Sequence, residues 1–182
     1  MMDQPFQPNE TPQPASRSSK ENLQLFFLAS LRELYFANEV IGVAFDSIQE
    51  KIGSPQLEEV LNTHYGIHLN HKNRLEKIFI LQNMPAETKD CLAVNALLSQ
   101  GMEYLALFTG DVRNWEIALL LTSRKLAHYK IAAYGAAAHL ALSLQHASSA
   151  TLLAVSVQEE EEFIERYLNG ITNDFLTPLT DS

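Results

Sequence analysis

The stretch LEEVLNTHYGIHLNHKNRLEKI, residues 57–78, sets Leu57, Leu61, His64, His68, His71, Leu75 and Ile78 at intervals alternating between four and three. That spacing lays one stripe along a long helix; a strand, whose side chains alternate every two residues, does not produce it. Ser54-Pro55 opens the stripe as a helix-start pair, and the loop around Asn83 to Pro85 closes it. The middle of the stripe is histidine, where a packed seam asks for leucine.

Working outward, the preceding segment repeats the pattern through Phe27, Leu31, Leu34, Asn38, Ile41, Phe45, Ile48 and Ile52, ending near Gly53. A shorter third helix is expected from about Glu87 to Phe108, closed by Thr109-Gly110. The fourth, from about Asp111 to Leu144, is rich in Ala and Leu with few charges, so it is expected to be the most buried. A fifth starts near Ser148 with Leu153, Val157, Glu160, Ile164 and Tyr167 on one face, and Asn169-Gly170 is expected to end or bend it. No proline falls between Pro85 and Pro178, which suits long helices. The fold expected is all-α: a four-helix bundle with an additional short connecting helix. Residues 1–20, polar and spaced by Pro5, Pro8, Pro12 and Pro14, read as a disordered tail. The bundle is expected over 21–170, followed by a weakly ordered C-terminal tail over 171–182.

Composition narrows the class. The chain has 182 residues, enough for one well-covered core, and a net charge of −9 argues against a nucleic-acid partner. Its one cysteine, Cys91, fits a reducing cytosol. No run of about twenty apolar residues offers a membrane span, and the N-terminus lacks the apolar core of a signal peptide. A cytoplasmic location is expected. Ser/His/Asp sets, P-loops, dinucleotide fingerprints and paired-cysteine motifs are absent.

The seams themselves carry polar residues. Asn38 interrupts the first helix and His64, His68 and His71 the second. Lys130 lies on the fourth-helix stripe Leu120, Ser123, Ala127, Lys130, Tyr134, and Glu160 on the fifth. Burying a polar group without a partner costs roughly 1–3 kcal/mol. Breaks on all four long helices therefore suggest a polar site, or its remnant, inside the bundle. Each has a plain alternative: seam histidines are commonly hydrogen-bonded core residues, Lys130 can extend its ammonium to solvent, and Glu159 to Glu162 can form a solvated face.

The run Lys125-Leu-Ala127-His128-Tyr129-Lys130-Ile131-Ala-Ala-Tyr134-Gly135 resembles the motif K-V-E-H-Y-E-I-A-x-Y-G of the YciE/YciF-like family of ferritin-like proteins. Leu31-Arg-Glu-Leu-Tyr35-x-Ala37, Arg74-Leu-Glu-Lys-Ile-Phe79, Cys91-x-Ala93 and Glu159-Glu160 continue it, over about residues 22–168. The resemblance implies a ferritin-like four-helix core, usually dimeric and linked to stress responses, with inward carboxylates and histidine able to hold two metal ions. At the positions it implies to be acidic, this chain has Asn38, Gly66, Ile67, Ala127 and Lys130, with Ile164 where many relatives have Asp; His64 and the Glu159-Glu160 pair match.

About four carboxylates balance two dications in such a centre, so a conventional one is not expected here. Two replacements are open. Lys130 can substitute for metal charge and pair with Glu160, with Asn38 and the histidines completing the hydrogen bonds. Alternatively, His64, His68, His71 and Glu160 can form a different site suited to a single Zn, Cu or Ni, where the family would imply iron. The first is favoured because an ammonium needs no special geometry, and no cofactor is expected. The functional expectation is a degenerate, non-enzymatic ferritin-like homodimer. Its rivals are a metal-dependent redox protein and a bundle that binds a small ligand near Lys130.

Overall fold

The computed structural model describes residues 18–177. Within them the order is α1 (Ser19–Ile48), a short 3-10 turn (Gln49–Lys51), α2 (Pro55–Leu81), α3 (Leu92–Leu107), α4 (Val112–Ser143), α5 (Ala147–Phe163), a π turn (Ile164–Leu168) and α6 (Asn169–Leu176). No strand occurs among the described residues. The disordered tail expected for residues 1–20 lies almost wholly outside them, and residues 178–182 do as well.

Side chains start the helices as their chemistry dictates. Ser18 and Glu21 form a reciprocal cap: the Glu21 amide donates to Ser18 Oγ at 3.3 Å, and the Ser18 amide donates to Glu21 Oε2 at 2.7 Å. Ser54 caps α2 ahead of Pro55, and Asp111 caps α4 by accepting from the Asn114 amide. Asn83 and Gln145, both at positive φ, reverse the chain after α2 and α4. The loop between α1 and α2 is pinned by Glu116, whose buried Oε1 accepts from the amides of Gly53 and Ser54 at 2.9 and 2.7 Å.

Two helical hairpins, α1/α2 and α4/α5, assemble so that α1 packs on α2 and α4 while α5 packs on α2 and α4. Helix α3 lies against α4 and α1. At Gly101 the helices α3 and α4 approach so closely that a Cβ would clash with Thr122 Cγ2. Two apolar regions flank the middle of the bundle. One gathers Phe27, Leu31, Leu75, Phe79, Ala141 and Leu153; the other gathers Leu57, Leu61, Leu105, Trp115, Leu120 and Phe163. No helix among the described residues is long and apolar enough to cross a membrane.

Three expectations need correction. Residues 87–91 are irregular rather than the first turn of α3. There the Lys89 amide donates to the Arg32 carbonyl, and Glu87 and Lys89 pair with Arg32 and Glu33, so tertiary contacts on α1 replace helical ones. Asn169-Gly170 opens α6 instead of ending the last helix: α5 gives way to the π turn after Phe163, α6 runs to Leu176, and its Ile171 is buried where the sequence predicts a weakly ordered tail. The π turn also shifts the inward face. It inserts one residue into the helical period, so Leu168 and Ile171 are buried while Tyr167, placed inward by simple periodicity, is 42% exposed.

A buried ion-pair centre

Asn38 of α1, His64, His68 and His71 of α2, Lys130 and Tyr134 of α4, and Glu160 of α5 meet between the two apolar regions. All but His64 are buried. The Lys130 side chain is only 2% exposed, so it does not extend to solvent. Its ammonium forms an ion pair with Glu160 Oε1, although neither atom has a hydrogen bond of good geometry. His64 donates from Nε2 to Glu160 Oε2 at 2.9 Å and stacks on Phe163 with ring centroids 4.0 Å apart. Burial alone would raise the Glu160 carboxyl, but Lys130 and then His64 hold it well below the usual carboxylate range.

The centre extends to the surface through residues that the seam pattern does not single out. His71 donates from Nε2 to Glu159 Oε2 at 3.2 Å, and its Nδ1 lies 3.5 Å from Glu160 Oε1. Glu159 receives Arg74 through both of its oxygens, with Nη1 2.7 Å from Oε2. Arg74 Nη1 also reaches Ser156 Oγ. Arg74 lies one turn beyond His71, and the adjacency of Glu159 to Glu160 was the only sequence signal for its partner. Glu161 is exposed and takes no part.

The remaining histidine of the seam, His68, differs in attachment. His68 Nε2 donates to the Asn38 backbone carbonyl at 2.7 Å rather than to any carboxylate. The Asn38 amide group donates to Tyr134 Oη at 2.8 Å and to the Leu34 carbonyl at 2.9 Å. Burial, reinforced by Lys130, pushes His68 down to about 3 and His71 down to about 2, so both rings are neutral. Burial likewise pushes the Tyr134 hydroxyl upward. Ala127 is fully buried beside Leu120 and Phe163, Ile67 is half-buried, and Gly66 faces outward with no atom near its Cβ direction. Gly66 therefore does not belong to the centre, although the sequence motif grouped it with Ile67.

With both histidines neutral, Lys130 and Arg74 face Glu159 and Glu160: two cations against two carboxylates. Among the described residues, no group of three or more His, Cys, Asp or Glu side chains is arranged to hold a metal ion.

Comparison with known proteins agrees with this architecture. A family described as a domain of unknown function (DUF892) matches residues 22–177. The protein YciF of Escherichia coli (strain K12) is 24% identical over 137 residues, covering 74% of this chain and 81% of YciF. The crystal structure of the E. coli stress protein YciF superposes with a TM-score of 0.77 at 21% identity, covering 85% of this chain and 97% of that one. YcfI from Rhodopseudomonas palustris gives a TM-score of 0.76 at 23% identity, covering 81% and 92%.

Proposed function

The chain belongs to the DUF892, YciF-like family, and from that premise we propose a ferritin-like bundle whose two-metal centre is degenerate, with a non-enzymatic role in stress physiology. The observation that carries the reading is the closed charge balance around Lys130. A two-metal centre draws on about four carboxylates. Here Glu159 and Glu160 are the carboxylates at the centre, and both are committed, the first to Arg74 and His71 and the second to Lys130 and His64. The ammonium stands on the carboxylate oxygen that a cation would need. These residues do not fit a di-iron group. The single-metal alternative draws on His68, whose Nε2 is held by a backbone carbonyl.

Elemental analysis of protein purified without a polyhistidine tag, beside an iron-reconstituted sample, tests this reading. We expect less than stoichiometric iron, zinc, copper and nickel in both; one metal ion or more per chain would overturn it. The triple change Asn38→Glu, Ala127→Glu and Lys130→Glu is expected to bring metal affinity back.

Lys130→Ala is expected to destabilise the fold by about 3–5 kcal/mol, because Glu160 is then left buried without its cation. Adding Glu160→Ala should recover part of that loss, since the two side chains act as one unit. A Lys130→Ala variant as stable as its parent would show that the pair is dispensable. We also propose a cytoplasmic homodimer. Phe108 and Leu121, exposed on the α3/α4 face, offer an apolar surface for a second copy, and sedimentation at micromolar concentration is expected to give twice the chain mass.

A further inference from the structure

A cavity of about 70 Å³ lies beside the ion-pair centre, between α1, α2, α3 and α4. Ile41, Phe45, Leu98 and Leu126 make its walls mostly apolar, and His68, Ser123 and Lys130 are among its polar residues. A dry cavity of about 150 Å³ holds benzene, so this one is sized for a molecule of about three or four non-hydrogen atoms.

His68 gives this space a chemical preference. A neutral imidazole carries one ring proton, and a carbonyl oxygen can only accept. The bond from His68 Nε2 to the Asn38 carbonyl therefore fixes the proton on Nε2 and leaves Nδ1 as a bare acceptor. Nδ1 is buried and has no hydrogen-bond partner among the described residues. An unsatisfied acceptor inside a protein is unfavourable, so this atom requires a donor. Lys130, which also borders the cavity, is held in its ion pair with Glu160, and no hydrogen bond joins its ammonium to His68 Nδ1.

We propose that the cavity binds a small, neutral, largely apolar molecule bearing a hydroxyl group, which donates its hydrogen bond to His68 Nδ1. At His68 Nδ1 the same geometry disfavours carboxylates, phosphates, ketones and ethers, whose acceptor oxygens would face a lone pair. The proposal stands apart from the metal reading, since a backbone carbonyl and not a metal fixes the histidine tautomer.

Propan-2-ol and acetone, matched in size but with and without the hydroxyl proton, are the probes. Their affinities for the full chain, dialysed against a chelator, are measured by titration calorimetry. We expect saturable one-to-one binding of propan-2-ol, with an affinity above that of acetone. In His68→Phe the propan-2-ol-to-acetone affinity ratio should fall about tenfold, the effect of one hydrogen bond. Should that variant fail to fold, nitrogen NMR of the parent supplies the second reading, in which propan-2-ol shifts His68 Nδ1 and leaves the Nε2 proton in place. Absence of saturable propan-2-ol binding at millimolar concentration overturns the proposal. So does a clear preference for acetone in the parent, an unchanged ratio in the variant, or a His68 Nδ1 resonance indifferent to propan-2-ol.

Discussion

Leu31 and Leu153 occupy the same seams as Asn38 and Glu160, two helical turns away, and Leu75 lies one turn from His71. All six are buried, and all obey one four-three register. The leucines pack among Phe27, Phe79 and Ala141, where many neighbours share the energy of contact and none is indispensable. Asn38, His71 and Glu160 depend instead on a few named partners, Tyr134, Glu159 and Lys130. Burial to the same depth thus has two physical meanings. The apolar region should respond to volume, and the polar centre to charge and protons.

Acid should separate the two regions most widely. His68 and His71 are neutral in the fold, held at about 3 and about 2, whereas both titrate near 6.5 once unfolded. Below about pH 6.5 the unfolded chain therefore binds the additional protons, and stability falls as pH falls. Their contribution is fully present above about pH 6.5 and declines by roughly 1.4 kcal/mol per pH unit for each ring until the folded values are reached. Between pH 7 and pH 5 the two rings together should remove about 4 kcal/mol, read from urea denaturation. Glu160, held low in the fold, adds its loss only in stronger acid, below the ordinary glutamate value of about 4.3. His71→Phe should roughly halve the slope between pH 6.5 and pH 5. A slope unchanged by that substitution would place the acid sensitivity elsewhere.

Leu31→Ala should cost about 3 kcal/mol, from lost transfer energy and the cavity left behind. The difference from the comparison's other half lies in its pH dependence: the loss should be the same at pH 7 and pH 5, so the whole profile moves down in parallel. A Leu31→Ala loss that changes with pH would mean that the two regions are coupled and that the distinction drawn between them is too sharp.

The helices were legible because burial imposes a period, and the period survives even where the residue type changes. Asn38, His68 and Glu160 were placed on their seams by spacing alone. What spacing does not carry is the local chemistry of helix ends and irregular turns. Residues 87–91 left the helical path because Arg32 and Glu33, far away in sequence, offered partners. The π turn at Ile164–Leu168 exchanged Tyr167 for Leu168 because one inserted residue rotates every later side chain. In the centre, the pairing of Lys130 with Glu160 follows from sign and position. The roles of Arg74 and Glu159 do not: both fall within stretches that resemble the family, but neither lies on a seam, and spacing alone gives them no partner.

Arg74 marks the edge of the centre, and the smallest of these effects should be found there. Its side chain is 17% exposed and that of Glu159 29%, so water reaches the pair and screens it. Arg74→Lys keeps the positive charge beside Glu159 but loses the planar fork that engages both carboxylate oxygens, together with the bond to Ser156 Oγ. Because no buried charge is left unpaired, the loss should be about 1 kcal/mol in urea denaturation at pH 7. Arg74 is also one of the charges that hold His71 neutral, and the substituted lysine preserves that influence. The acid slope should therefore stay as it is in the parent. A loss as large as that expected for Lys130→Ala would extend the charge-dependent centre to the surface of α2, and the boundary between the two kinds of burial would have to be redrawn around Glu159.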